Sequence, residues 1–217
     1  AAEFDDTTHC RDVAIVGHRR LLLEGSDVNA NPLTGFSNVD RHLFSIRDKF
    51  RTFPGLHSDD VANTMILLSG LGNIAAQALR DGLFEVGTSE SIYQKEATKM
   101  LRNRSDIGED LQGHPAAAGG ITDLTFRGIP LELKVENKKA LFPKDFKKYF
   151  NQTAAYAIGL GKRLGVLSVL EASPKNEPIG IVEDDIEVFM HSSGQSQVII
   201  VVAIIRGGFP KPSTYSR

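Results

Sequence analysis

Asp123, Glu132 and Lys134 are the residues whose types and spacing can do chemistry together. Residues 119–135 read Gly-Gly-Ile-Thr-Asp-Leu-Thr-Phe-Arg-Gly-Ile-Pro-Leu-Glu-Leu-Lys-Val, the pattern of two short strands joined by a tight turn. Residues 121–126 mix apolar and polar side chains, Arg127 and Gly128 supply the turn, and residues 129–135 alternate. A two-residue turn sets Phe126 opposite Ile129. Counting back along both strands puts Asp123 opposite Glu132. Glu132 and Lys134 share a face because strand side chains repeat with period two. Two carboxylates whose β-carbons lie about 5 Å apart repel each other unless something neutralises them. A divalent cation is the usual remedy, and a lysine beside it is what phosphodiester hydrolysis uses.

The residue types fix the chemistry expected of such a site. Asp123 and Glu132 offer hard oxygen ligands suited to Mg²⁺ or Mn²⁺. A cation held there polarises a phosphate oxygen and lowers the pKa of a bound water. Lys134 orients that water or stabilises charge on the phosphorane-like transition state. One metal and two metals are both compatible with these residues.

The spacing Asp123…Glu132-Leu133-Lys134 resembles the signature of the PD-(D/E)xK nuclease superfamily, with Thr122 where the superfamily's name has proline. The resemblance implies a restriction-endonuclease-like α/β core, a central mixed sheet flanked by helices, here with a helical N-terminal extension. It also implies the backbone carbonyl of Leu133 as a further metal ligand. Residues 143–160 read as the next helix, with Pro143 near its start, Asp145 in its first turn, and Gly159 and Gly161 near its end. Gln152 and Tyr156, four apart, share a face of that helix, with Lys148 one turn earlier. This Gln-x-x-x-Tyr pair resembles the subset related to the RecB nuclease domain, in which both residues help position the site or the strand. Residues 165–171 then read as a buried strand. Strand, hairpin partner, helix, strand is the core order of the superfamily, and the resemblance covers residues 88–172.

An upstream acid on a helix usually completes the metal site in this superfamily. Residues 89–103 suit that helix, with Ser89 or Thr88 as cap and Ile92, Ala97, Met100 and Leu101 as an apolar stripe. Glu90 and Glu96 are the candidates. Glu96 is preferred, because it falls mid-helix beside that stripe, whereas Glu90 suits the positive end of the helix dipole.

The net charge of −2 does not advertise nucleic-acid binding, but the charge is uneven. Residues 127–163 hold nine basic side chains against three acidic ones, enough to attract a phosphate backbone. Lys138, Lys139, Lys144 and Lys148 are the expected nucleic-acid contacts, and Lys95, Lys99, Arg102 and Arg104 extend that surface. DNA is the expected partner ahead of RNA, although the site chemistry does not distinguish the sugars. Cutting both strands of a duplex favours a homodimer.

At 217 residues, 41% hydrophobic and 24% charged, the chain has the composition of a globular protein able to bury a core. A single cysteine, Cys10, rules out an intrachain disulfide and points to a reducing, cytoplasmic setting. The six histidines show no metal-ligand spacing. No cationic leader precedes an apolar core, and the longest apolar run, Val198 to Ile205, is too short to span a bilayer. It reads as a buried strand. The start Ala-Ala-Glu-Phe, without methionine, suggests a piece of a longer parent chain. The expected division is an N-terminal region over 1–87, helical or part of the same domain, a nuclease-like core over 88–210, and a tail over 211–217. Within the first region, residues 13–16 suggest a strand, 24–38 a loop and 39–50 a helix. Residues 173–180 read as a turn, followed by strands over 181–191 and 197–206.

The function expected is metal-dependent cleavage of phosphodiester bonds, most readily in DNA, by the effector module of a larger prokaryotic defence or repair protein. Two alternatives stay open. One is a nucleic-acid-binding module that kept the fold and lost activity. The other is a dinucleotide-binding enzyme, because Gly70-Leu71-Gly72-Asn73-Ile74-Ala75 matches Gly-x-Gly-x-x-Ala after the apolar residues 65–69. Against it, Val61, Met65, Leu68, Ala75, Ala76 and Leu79 keep a helical period straight through those glycines.

Overall fold

The structure is a computed structural model and describes residues 11–16, 19–24, 34–113, 116–117, 120–121, 123–175 and 181–209. Cys10, Thr122, most of the 24–38 loop, the end of the 173–180 turn and the 211–217 tail lie outside the described residues.

A hairpin of β1 (Arg11–Val16) and β2 (Arg19–Glu24) comes first, so the N-terminal region is not wholly helical. Three helices follow: α1 (Ser37–Phe50), α2 (Ser58–Asp81) and α3 (Glu90–Arg102). Next come β3 (Leu111–Gly113), a two-residue ladder of β4 (Ala116–Ala117) and β5 (Gly120–Ile121), then β6 (Leu124–Phe126) and β7 (Ile129–Glu136). A 3-10 segment (Pro143–Tyr149) leads into α4 (Phe150–Gly159). The chain closes with β8 (Leu164–Glu171), a 3-10 turn at Val182–Asp185, β9 (Ile186–Ser193) and β10 (Ser196–Arg206). The helix expected over 143–160 is therefore tight and 3-10 in its first half. The strand expected from residue 181 starts only at Ile186.

The main sheet is α/β in class and mixed in direction, six strands in the order β3-β6-β7-β8-β10-β9. β3, β6 and β7 form an antiparallel meander, and α4 carries the chain over to β8, which runs parallel to β7. β10 lies parallel to β8 and antiparallel to β9. Leu131, Leu133, Val166, Leu170, Val201, Ala203 and Ile205 turn to one face and share a buried cluster with α1, α2 and α3. Leu167, Val169, Ile200, Val202 and Ile204 turn to the other and pack beneath Phe150, Ala154 and Ala157 of α4. Burial on both faces explains why β10 reads as an unbroken apolar run from Val198 to Ile205 and why Ser168 alone interrupts the apolar residues of β8 before Glu171.

The six residues 70–75 lie inside α2, which runs 24 residues without a strand before them or a turn among them. The dinucleotide fingerprint requires a strand–turn–helix context, so that reading is corrected. The glycines serve close packing instead. A Cβ on Gly70 would stand 2.6 Å from Leu101 Cδ2 of α3, and one on Gly72 would stand 3.0 Å from Val39 Cγ1 of α1. None of the described helices is long and apolar enough to cross a membrane.

Candidate active site

The hairpin that frames the site is built by its turn. Arg127 and Gly128 both take positive φ, 48° and 84°, as a type I′ turn requires. Phe126 pairs with Ile129, Thr125 with Pro130 and Leu124 with Leu131, so the next residues in register are Asp123 and Glu132. The backbone pairing ends at Leu124, and β6 leaves the sheet there. Asp123 then does with its side chain what a backbone carbonyl would otherwise do, accepting a hydrogen bond from the Leu133 N–H at 2.8 Å. An extended residue turns its N–H and C=O to the same side of the strand. The carbonyl of Leu133 therefore faces the same opening.

Around that opening three carboxylates surround one ammonium. Lys134 Nζ lies 2.6 Å from Glu132 Oε1, 3.9 Å from Asp123 Oδ2 and 3.8 Å from Glu90 Oε1. Gln94 Nε2 donates to the other Asp123 oxygen at 3.0 Å. Glu132 is only 2% exposed, and its second oxygen, Oε2, is buried with no hydrogen-bond partner. Burial pushes the Glu132 carboxyl above its ordinary value; Lys134 opposes this, while Asp123 and Glu90 reinforce it. Burial alone would lower the Lys134 ammonium. The bond to Glu132 and the fields of the three acids outweigh it, so Lys134 is held charged more firmly than an ordinary lysine.

The helix α3 supplies Glu90 to this cluster, and not Glu96. Its buried residues are Tyr93, Ala97 and Leu101, with Ser89 capping through a bond from Ile92 N–H at 3.4 Å. Ile92 is 53% exposed, so the stripe runs through Tyr93 and not through Ile92. Tyr93 is fixed inside by its hydroxyl, 2.7 Å from Ser168 Oγ on β8. At about 100° per residue, Glu90 and Gln94 fall on one flank of that stripe and Glu96 on the other. Of the two candidate acids, the structure therefore brings Glu90, and not the preferred Glu96, to Lys134.

Gln152 and Tyr156 are joined by a 3.2 Å hydrogen bond, Gln152 exposed and Tyr156 buried. They sit on α4, over the sheet face that carries Glu132 and Lys134, since Glu132 pairs laterally with Leu167 and Lys134 with Val169. No bond joins either of them to the acidic cluster among the described residues. Lys138, Lys139, Lys144 and Lys148 are all exposed, Lys148 with its ammonium 4.8 Å above the Tyr149 ring. An open groove of about 440 Å³ runs from Asp123 and Leu133 along α3, past Lys95, Lys99 and Arg102. The four expected lysines do not line it.

Two features escaped the sequence reading. Gln94, one turn after Glu90, positions Asp123, and its signal was the i, i+4 spacing on the correct face. The other is a buried network at the ends of β8 and β10. Arg206 forks onto Asp185 at 2.5 and 2.8 Å and reaches Glu171 at 2.9 Å. Lys175 bonds Glu171 at 2.9 Å, and the Ser173 hydroxyl also donates to that carboxylate. A charge directly after a fully apolar strand was its only local signal.

Among the described residues, no group of three or more His, Cys, Asp or Glu side chains is placed to hold a metal ion. The oxygen donors present are nevertheless of the right kind for Mg²⁺, which is commonly bound by one or two carboxylates with water and substrate phosphate making up the rest. The unpartnered Glu132 Oε2 is the lone pair such a cation would use. No protein-family model, no curated protein and no solved structure matches the chain.

Proposed function

We propose that this chain is a metal-dependent nuclease that hydrolyses phosphodiester bonds, with DNA as the preferred substrate. The observation that carries the reading is the buried, unpartnered Glu132 Oε2 within an excess of carboxylates around Lys134. A buried carboxylate oxygen without a partner is costly, and a site built for a cation accounts for it. The order α3, β3-β6-β7 meander, α4, parallel β8 agrees with a restriction-endonuclease-like core.

In this reading Asp123, Glu132 and the Leu133 carbonyl hold Mg²⁺ or Mn²⁺, with Glu90 as the upstream acid. A cation held by these residues would supply Lewis acidity toward the phosphate and the attacking water. Gln94 and the Leu133 N–H keep Asp123 in one orientation, so no reorganisation is needed when substrate arrives. Lys134 stays protonated and swings from Glu132 toward the phosphate, stabilising the charge that builds on its oxygens. Gln152 and Tyr156 steady the strand from the α4 side. The setting proposed is the effector part of a larger prokaryotic defence or repair protein, acting as a homodimer where both strands of a duplex are cut.

The test is cleavage of supercoiled plasmid in Mg²⁺, Mn²⁺ or EDTA, wild type beside Glu132→Ala, with circular dichroism to confirm that both are folded. Metal-dependent nicking that disappears in the variant supports the site. Equal nicking by both proteins sinks it. A folded wild type that binds DNA and never cleaves it turns the reading toward a binding module that lost its activity.

A further inference from the structure

We propose that the groove along α3 holds a single phosphodiester strand by its backbone alone and delivers it to Asp123. The choice of a phosphodiester strand rests on the nuclease reading above. The rest is argued from the groove itself.

Its α3 wall presents Ser91, Lys95, Thr98, Lys99 and Arg102, and among the described residues Asp123 is the one acid that lines it. Lys95 and Lys99 are exposed and stand one turn apart on the same face, where like charges repel. A polyanion laid beside them removes that repulsion. The serine and threonine hydroxyls are of the kind that bond phosphate oxygens. Arg102 is anchored, its Nε and Nη2 donating to the Leu111 carbonyl at 3.3 and 3.0 Å, so it fixes a positive charge along this wall. The acid lies where the groove meets the reacting cluster, and the bases line the way to it.

What the groove lacks sets its specificity. Among the described residues no aromatic side chain lines it, so none of them offers a platform on which bases could stack. Lysines contacting phosphate fix position and register but carry no base information. At about 440 Å³ the groove is the size of a small-ligand site, matched to the backbone of one strand. The strand is therefore held without preference for its bases. The cluster of Lys138, Lys139, Lys144 and Lys148 lies outside the groove and is not the primary track.

The experiment is fluorescence anisotropy in EDTA with labelled single-stranded DNA and RNA oligonucleotides of several sequences and with a duplex. Wild type is compared with Lys95→Ala/Lys99→Ala and with a variant carrying alanine at residues 138, 139, 144 and 148. The double variant is expected to bind single strands about tenfold or more weakly, and its slope of log affinity against log salt to flatten by about 1.4. Affinity is expected to vary little with base sequence. Full binding by the double variant overturns the proposal, as does tighter binding of duplex, strong sequence preference, or no binding by wild type. The same oligonucleotides with Mg²⁺ or Mn²⁺ separate the two readings. Binding lost with the two α3 lysines but no cleavage by wild type keeps the groove and sinks the nuclease.

Discussion

Glu132 and Glu171 occupy neighbouring parallel strands, point to the same sheet face, and are almost wholly buried, yet their surroundings are opposite. Glu171 sits in a balanced set, two acids and two bases, with donors on both oxygens. Burial opposes its charge, but the bonds from Ser173, Lys175 and Arg206 prevail, and its carboxyl is held below the ordinary range. Glu132 sits in an unbalanced set, with three acids around one lysine and one oxygen unpartnered, and its carboxyl is pushed up. A buried charge that is fully answered holds the fold together. A buried charge left partly unanswered is the feature on which the proposed cation site rests.

The comparison is broken most forcefully from the balanced side. Arg206→Met strands Glu171 and Asp185 inside the protein and is expected to cost about 3–5 kcal/mol in urea denaturation. A small loss there would mean that the network is not structural. On the unbalanced side, Lys134→Ala is expected to lower cleavage by about 10²–10³-fold while oligonucleotide binding is retained. Binding lost in parallel with cleavage would instead make Lys134 an affinity residue.

The pH response of the two glutamates sharpens the contrast through its sign. A raised folded pKa gives stability below the ordinary glutamate value that is lost as pH rises through the raised one. A depressed folded pKa gives stability above the ordinary value that is lost as pH falls through the depressed one. Over about pH 2 to 7, Glu132→Gln should therefore gain on wild type as pH rises above about 4, and Glu171→Gln should lose ground as pH rises toward about 4. Urea midpoints across that range decide it, and parallel trends would remove the distinction. The smallest effect separates the two acids of α3. Glu96→Ala is expected to change stability by less than about 0.5 kcal/mol and leave cleavage untouched, while Glu90→Ala slows it.

The hairpin was legible in the sequence because its register depends on two adjacent residues, Arg127 and Gly128. The helix acid was not legible, because choosing between Glu90 and Glu96 depends on which of Ile92 and Tyr93 is buried. That choice is made by a hydroxyl on Ser168, 75 residues away. The stretch Gly70 to Ala75 was ambiguous for the same reason, since the close neighbours that its glycines admit belong to α1 and α3. Glu171 and Arg206 read as ordinary strand ends, and nothing local shows that each other's charge is what allows them inside.

The type I′ turn also constrains how this gene can change. Surface turns usually absorb insertions and deletions with little effect. Here one residue gained or lost between Phe126 and Ile129 would slip β6 against β7, and a one-residue slip turns every side chain to the opposite face. Asp123 would then point away from Glu132 while the sequence of both strands remained intact. The two turn residues thus act as a ruler, and their number should be harder to alter than their identity.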